Sequence, residues 1–391
     1  MHGNNPLKVL APADAVPWIS RRALLGGFGV VGLSIAASAG LSGCGRSQGF
    51  AASAVPNGEV GNQLNVYSWG DYEDPEDIAD FEATGVRVQL DSFGSNEELI
   101  AKLAATRGTS GYDVIVPTGV YIPQMAANGL LQPLEHALIP NMANLDPEYL
   151  DQAWDPGNKY SLPKAWGTTG YVYDTRIIKR ELTSWQDFLD AASKEAAGKT
   201  AVLEDSWEVV AIYLAAKHHD MNTEDPTLLD AAEDYLVNTL AKNIRAFNST
   251  IVSTGIPQGT FALMQAFNGD ARQGMLSSSD PERWKFVFPT PTANLWMDNW
   301  AVATGTQHPD AAYAFINHML TPEAALREVQ YIGYHTGAKG LKEAALADKM
   351  ELPDLVFPPH DVLDRLKSAV LNEAQERRVQ ILNRMESKAG A

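Results

Sequence analysis

Two tryptophans and one aspartate alternate within a single short stretch of the sequence. Residues 294–303 read NLWMDNWAVA, in which Trp296, Asp298 and Trp300 are each separated by one residue. A period of two is typical of a β-strand, and on a strand these three side chains would project from one face. A carboxylate between two indoles makes a poor core, because an unpaired buried charge is costly. The pattern instead favours an organic cation, whose charge the carboxylate would take and whose methylenes the indoles would cover.

A second stretch, much earlier in the chain, repeats this combination of residue types. Residues 66–72 read VYSWGDY, so Trp69, Asp71 and Tyr72 follow a short apolar run. The glycine before the aspartate favours a loop at a strand end, and binding residues concentrate on such loops. The sequence therefore predicts that the fold brings the two stretches together around a ligand.

Strands and helices alternate along the chain in two series, over residues 64–116 and 184–288. Such alternation is typical of parallel sheets covered by helices, and ligands of open α/β sheets bind outside the carboxyl ends of the strands. Thr118 follows the third predicted strand and Asp205 follows a strand of the second series, so both are candidate site residues. Predicted helices include residues 259–268 and the long segment 359–388.

Length and charge narrow the functional classes. The chain has 391 residues, enough for two domains and a large core, and its 45% hydrophobic content is that of an ordinary globular protein. Its net charge of −18 argues against nucleic acid as the partner. The same charge does nothing to repel a cationic ligand.

The first 43 residues are similar to a bacterial export signal. Arg21 and Arg22 resemble a twin-arginine motif, and an uncharged run over residues 23–43 leads to Leu-Ser-Gly-Cys, which resembles a lipobox. Cys44 would then carry lipid and become the new N-terminus. The run is also long enough for an uncleaved membrane anchor, although its glycines and the following lipobox favour processing. Cys44 is the only cysteine, so no intramolecular disulfide can form.

Six motifs follow one another in order between residues 65 and 338: NVYSWGDY, SNEELIAKL, YDVIVPT, WGTTGYVYD, LWMDNWAV and IGYHTGA. Together they resemble the spermidine/putrescine-binding proteins of bacterial ABC importers. The resemblance implies an α/β, two-lobed type II periplasmic-binding-protein fold with a ligand cleft between the lobes. It places the first lobe at 62–168 plus 297–341, the second at 169–296 plus 342–391, and a flexible tether at 44–61.

The resemblance also implies which residues contact the ligand. In that family acidic residues hold the amine nitrogens and aromatic residues line the methylenes. Val120 departs from the family pattern, where an aromatic residue is typical, and Phe267 stands where a tryptophan is typical; the resemblance therefore leaves the amine undecided. The implied ligand-binding residues are Trp69, Asp71, Tyr72, Thr118, Asp205, Glu208, Phe267, Trp296, Asp298 and Tyr334.

Several of these residues have a plainer interpretation. Asp205 and Glu208, spaced three apart before an apolar helix, would also suit the capping of that helix. Trp69 and Tyr72 could be half-buried core aromatics, and the Thr118 hydroxyl could serve a turn. Trp300 is expected to pack in the core.

The leading functional hypothesis is a monomeric, lipid-anchored substrate-binding protein, without cofactor or metal, that delivers spermidine or putrescine to an ABC permease. The sequence contains no HExxH or P-loop motif, and no catalysis is indicated. One alternative is binding of another small organic cation, such as thiamine. A remote alternative is a secreted hydrolase that uses Asp298 and Glu208 as acid and base.

Overall fold

The computed structural model describes residues 50–250 and 252–390 of the chain. The predicted export signal, the lipidation site Cys44 and residues 44–49 of the predicted tether lie outside the described residues. Over the described ranges, no helix combines the length and the apolar character that crossing a membrane requires.

Helices and strands alternate along the described chain, as the sequence predicts. The strands are β1 (Gln63–Trp69), β2 (Arg87–Phe93), β3 (Val114–Ile115), β4 (Ser161–Asp174), β5 (Thr200–Val202), β6 (Ile244–Phe247), β7 (Leu263–Phe267), β8 (Trp284–Val287) and β9 (Leu295–Val302). The α-helices are α1 (Pro75–Glu82), α2 (Asn96–Thr106), α3 (Ile122–Ala127), α4 (Trp185–Ser193), α5 (Ser206–Ala216), α6 (Pro226–Tyr235), α7 (Val252–Gln258), α8 (Asn268–Leu276), α9 (Pro309–Met319), α10 (Pro322–Ile332), α11 (Leu341–Ala347), α12 (Pro353–Val356), α13 (His360–Leu363) and α14 (Gln375–Ala389).

The strands form one sheet in the order β2-β1-β3-β9-β4-β7-β5-β6, with β8 also paired to β4. β1, β2 and β3 run parallel, as do β5, β6 and β7, whereas β9 is antiparallel to both β3 and β4. The first half of β4, up to Thr168, pairs with β9, and from Thr169 onward the strand pairs with β7. The long strand β4 therefore joins two parallel groups of strands.

A separate hydrophobic core covers each group. One core gathers Leu64, Val66 and Phe315 from β1 and α9, and the other gathers Tyr171, Trp185 and Phe188 from β4 and α4. All fourteen residues of β4 are buried, which fits a strand covered on both faces at the middle of the sheet.

Two helix predictions are wrong in part. Residues 263–267 form the buried strand β7 between α7 and α8, rather than the second half of a helix over 259–268. A short apolar run that is buried on both faces has no alternation, so periodicity cannot distinguish it from a buried helix. In the segment 359–388, only α13 and the residues from Gln375 onward are helical.

The described part of the predicted tether is attached to the protein body. The backbone N–H of Ala54 donates to the carbonyl of Thr306 at 2.8 Å. The carboxylate of Asp310 accepts the N–H groups of Asn57 and Gly58 at 2.9 and 2.8 Å. These contacts hold residues 54–58 against the body.

Candidate functional site

Asp298 on β9 lies at the centre of the candidate site. Its carboxylate accepts the hydroxyl of Tyr72 at 3.0 Å and the hydroxyl of Thr118 at 2.6 Å, and the residue is only 6% exposed. The sheet explains this meeting, because Ile115 of β3 pairs with Ala301 of β9. Continuing the antiparallel register by three residues places Thr118 opposite Asp298, where the structure has an isolated β-bridge.

Asn96, at the start of α2, fixes the orientation of the Thr118 hydroxyl. The Asn96 side-chain amide donates to Thr118 Oγ1 at 2.9 Å, and its carbonyl accepts the Thr118 N–H at 2.9 Å. A threonine hydroxyl has one proton, and with Asn96 as its donor this proton points to Asp298. Thr118 therefore acts as a hydrogen-bond donor to the site carboxylate.

Aromatic rings surround the carboxylate on one side. The Trp296 ring centroid lies 5.6 Å from that of Phe267 and 4.8 Å from that of Tyr334, both in edge-to-face geometry. Two glycines permit this close packing. A Cβ on Gly167 would come within 2.5 Å of Trp296, and one on Gly269 within 2.5 Å of Tyr334.

The electrostatics of Asp298 suit a cationic ligand. Burial raises the pKa of its carboxyl to about 6, while hydrogen bonds from Thr118 and Tyr72 and the charge of Lys164 act in the opposite direction. Both hydrogen-bond donors are neutral hydroxyls, so neither brings a positive charge to the carboxylate. An ammonium group would stabilise the negative charge directly.

Asp270 places a second carboxylate next to the aromatic rings, where it contacts Tyr334. The Tyr334 hydroxyl donates to Asp270 Oδ1 at 2.7 Å, and burial raises the pKa of Asp270 to about 6. Asp270 is not among the site residues predicted from the sequence, because the predicted helix over 259–268 left no strand end before it. In the structure Asp270 lies in the first turn of α8, three residues after Phe267.

Asp205 caps the N-terminus of α5 and also faces the other half of the molecule. Its carboxylate accepts the N–H of Glu208 at 2.9 Å, as the capping interpretation expects. The side chain is exposed, yet desolvation by the surrounding protein raises its pKa. A group that solvent reaches but protein surrounds lies on a concave surface, which is what a cleft wall requires.

Across from Asp205 lie Glu97 of α2 and Tyr121, neither of which the sequence analysis selected. The Tyr121 hydroxyl donates to Glu97 at 2.8 Å. Burial raises the pKa of Glu97, and the negative charge of Asp205 adds to that shift. The two parallel groups of strands therefore meet here through acidic side chains.

Glu208 is more deeply placed than Asp205. It is 5% exposed, and its Oε1 accepts the hydroxyl of Thr169 and the side-chain amide of Asn294, each at 2.7 Å. Burial and then the charge of Asp205 raise the pKa of Glu208 to about 8. Thr169 belongs to β4 and Asn294 precedes β9, so Glu208 connects the two central strands.

Two further predicted residues, Trp69 and Asp71, lie at the end of β1 and just after it. Trp69 packs against Phe93 with ring centroids 4.5 Å apart. Asp71 is exposed and adopts a positive φ of 54°, a left-handed conformation that aspartate tolerates in loops. Glu73, two residues later, is the buried acid of this loop, and the charge of Asp298 is among the influences that raise its pKa.

Comparisons with known proteins give one consistent result. The sequence matches the family described as bacterial extracellular solute-binding protein over residues 78–354. The spermidine/putrescine-binding periplasmic protein 1 of Haemophilus influenzae is 31% identical over 329 residues, which cover 83% of this chain and 89% of that protein. The putrescine/agmatine-binding protein of Pseudomonas aeruginosa is 32% identical over 291 residues, which cover 70% and 78% of the two chains.

Solved structures agree with the sequence matches. The spermidine/putrescine ABC transporter substrate-binding protein of Streptococcus pneumoniae superimposes with a TM-score of 0.72 at 30% identity. The alignment covers 84% of this chain and 100% of that structure. The similarity therefore extends over most of the described residues.

Proposed function

The chain belongs to the family of bacterial extracellular solute-binding proteins, and from that membership we propose that it captures putrescine or spermidine outside the cytoplasm and delivers it to an ABC importer. It has the α/β, two-lobed type II periplasmic-binding-protein fold expected from the sequence. The expected resemblance to spermidine/putrescine-binding proteins is confirmed.

One observation carries the ligand class. Asp298 is a buried carboxylate that accepts two neutral hydroxyls. It lies two residues from Trp296 on the same strand, and the Trp296 ring packs edge-to-face on that of Tyr334. An alkyl ammonium supplies both the missing positive charge and the apolar surface that such rings cover. A neutral sugar or an anion does not supply the positive charge.

The ten predicted contacts divide by location in this proposal. Asp298, with Thr118 and Tyr72, binds one ammonium group, and Trp296, Tyr334 and Phe267 cover the adjacent methylenes. Asp205 and Glu208 act at the other end of the cleft, where Asp205 is the exposed member. Trp69 and Asp71 remain predictions from the sequence pattern and from the resemblance.

The proposed lobes meet along the central strands. The pairing of β4 changes partner between Thr168 and Thr169, at the boundary predicted for the first lobe. The chain would cross again near Met297 and near Leu341. Movement about these crossings would close the cleft over the ligand.

We also propose that the mature protein is a monomer that is exported by a twin-arginine signal and held at the membrane by lipid on Cys44. The support is the sequence motif together with the attachment of residues 54–58 to the body, which leaves only a short connection to the membrane. Cys44→Ser should move the protein from the membrane fraction to the soluble fraction. Immunoblotting of fractionated cells checks this, and continued sedimentation with membranes would contradict lipid anchoring.

The ligand assignment is tested by calorimetric titration of the purified protein at fixed ionic strength. Putrescine and spermidine should bind, whereas glucose and glutamate should give no heat of binding. Agmatine is included because one relative is named for it and because the Asp270–Tyr334 pair adds a second carboxylate near the site. Absence of binding to all three amines would overturn the proposed function, and preference for agmatine would change the ligand but keep the class.

A further inference from the structure

Lys164 of β4 is a buried cation directly behind the candidate site. Its side chain is 0% exposed, and its ammonium forms an ion pair with Glu328 of α10. The same ammonium donates to the backbone carbonyl of Tyr72. Taking two charges out of water is unfavourable and adds little stability even when they pair, so stability alone is a weak reason for this pair.

The position of Lys164 controls the position of Tyr72. The ammonium lies 4.2 Å from the centroid of the Tyr72 ring and holds the carbonyl of the same residue. The ring is therefore fixed at both its backbone and its face. The Tyr72 hydroxyl takes part in neither of these contacts and donates to Asp298 at 3.0 Å.

Lys164 is also the counter-charge of a buried acidic cluster. Besides Glu328, this cluster contains Glu73, which is 3% exposed and accepts the hydroxyl of Ser68. Glu73 Oε2 has no hydrogen-bond partner among the described residues. Asp298 adds a further carboxylate, so one lysine faces three acids in a water-poor region.

Building on the proposed function, we propose that Lys164 is a positioning residue of the ligand site, which holds Tyr72 in place and keeps the Asp298 carboxylate charged for an ammonium ligand. Buried carboxyls that face other carboxyls take up protons instead of remaining ionised. A protonated Asp298 could not form an ion pair with an amine. The Lys164 charge is one of the influences that lower the pKa of Asp298, which burial raises to about 6.

The pH dependence of binding follows from this arrangement. Affinity should be retained above the pKa of Asp298 and lost as the pH falls through it, because the neutral acid no longer attracts the ammonium. Removing the Lys164 charge raises the pKa of Asp298, so the pH at which half of the affinity is lost should increase. Several groups act directly on Asp298: Tyr72 and Glu73 after β1, Thr118 after β3, Lys164 of β4 and Tyr334 after α10. Two further acids act on these groups: Glu328 of α10 pairs with Lys164, and Asp270 of α8 accepts from Tyr334.

The principal test compares wild type with the double variant Lys164→Met/Glu328→Gln. Removing both partners of the ion pair avoids leaving a buried Glu328 charge unpaired, which would confuse folding with function. Putrescine affinity at pH 7 should fall by about tenfold or more, and the pH midpoint should rise. Calorimetric titrations between pH 5 and 9 measure both quantities, and melting curves confirm that the variant is folded.

Two controls separate positioning from general stability. Arg378→Met removes another fully buried cation, which donates to the backbone carbonyl of Thr223, and it should leave both affinity and midpoint unchanged. Lys164→Arg keeps the positive charge and should keep the wild-type midpoint. Lys164→Arg also tests the electrostatic role if the double variant does not fold. Its positive charge is retained, so a rise of its pH midpoint by about one unit would contradict that role.

The possible outcomes distinguish this inference from the proposed function. If wild type binds none of the amines, the proposed function itself fails. If wild type binds putrescine but the folded double variant has the same affinity and midpoint, only the role of Lys164 is overturned. The role of Lys164 is supported if the pH midpoint rises in the double variant and stays at the wild-type value in both controls.

Discussion

Asp298 combines features that a core residue does not need and an ammonium site does. It is buried, it accepts only neutral hydroxyls, and it is the one acid between Trp296 and Trp300. Trp300 itself packs edge-to-face on Phe315 in the core, as expected from the sequence. We therefore propose that the charge on this strand serves a ligand and not the packing of the fold.

Asp298→Asn should weaken putrescine binding by at least about tenfold. A hydrogen bond to a charged group contributes roughly 1.5–3 kcal/mol, and ~1.4 kcal/mol corresponds to a factor of ten. Calorimetric titration at fixed ionic strength gives the affinity. Asp361→Asn is the control, because it removes the same unit of charge from an exposed helix residue. Equal affinities for wild type and a folded Asp298→Asn protein would remove the centre of the proposed site.

Asp205 requires a pair of variants, because it already caps α5. Asn caps a helix as well as Asp does, whereas Ala costs about 1 kcal/mol of stability. Asp205→Asn should therefore lower polyamine affinity with little change in melting temperature, and Asp205→Ala should lower both. Titration and melting of the two variants side by side check this. If Asp205→Asn binds as wild type does, Asp205 is only a cap.

Individual site residues could be predicted from the sequence where a short local pattern marks them. The alternation around Asp298 and the loop of Tyr72 both appear in the chain order, and their meeting follows from the pairing of β3 with β9. Glu73 and Lys164 gave no such signal, because their significance depends on a contact with α10 that no local pattern encodes. Asp270 was missed through the wrong assignment of β7.

At the scale of elements, β4 and β9 form the middle of the sheet, and polar side chains fix their junction. Glu208 of α5 accepts hydrogen bonds from Thr169 of β4 and from Asn294 just before β9. Periodicity predicted most strands and helices, including both of these strands. It could not predict that β9 inserts antiparallel between β3 and β4, since strand order depends on contacts far apart in sequence.

Glu208 should make folding stability depend on pH. Burial raises the pKa of Glu208 to about 8, above the ordinary value of 4.5 that holds in the unfolded chain. The folded state therefore binds the Glu208 proton more tightly than the unfolded state does. The stability that this proton contributes is complete below about pH 4.5 and is lost as the pH rises through about 8. Glu208→Gln removes this titration and should flatten the curve of unfolding free energy between these limits. Urea unfolding at several pH values measures it.

The control for this prediction is the exposed neighbour Glu204→Gln, which should leave the pH curve unchanged. The glutamine oxygen can still accept from Thr169 and Asn294, so the junction of the central strands should remain intact. If Glu208→Gln kept the wild-type pH dependence, the buried carboxyl would not be the group that titrates.

At the scale of the whole molecule, the candidate site takes residues from both proposed lobes. Asp298 and Tyr334 come from the first lobe, while Trp296, Phe267 and Asp270 come from the second. With these proposed bounds, the hydrogen bond from Tyr334 to Asp270, at 2.7 Å, would join the two lobes. A ligand that binds Asp298 and the second-lobe rings together stabilises the arrangement in which the lobes approach.

Polyamine binding should for this reason make the molecule more compact in solution. The unliganded protein has carboxylates on both cleft walls, among them Asp205 and Glu97, whose mutual repulsion favours separation of the walls. A bound polycation removes that repulsion and adds contacts to both lobes, so closure about the central strands becomes favourable. Small-angle X-ray scattering should show a smaller radius of gyration at saturating putrescine than without ligand. Asp298→Asn at the same putrescine concentration should remain expanded, and equal radii for free and saturated wild type would contradict closure of the cleft.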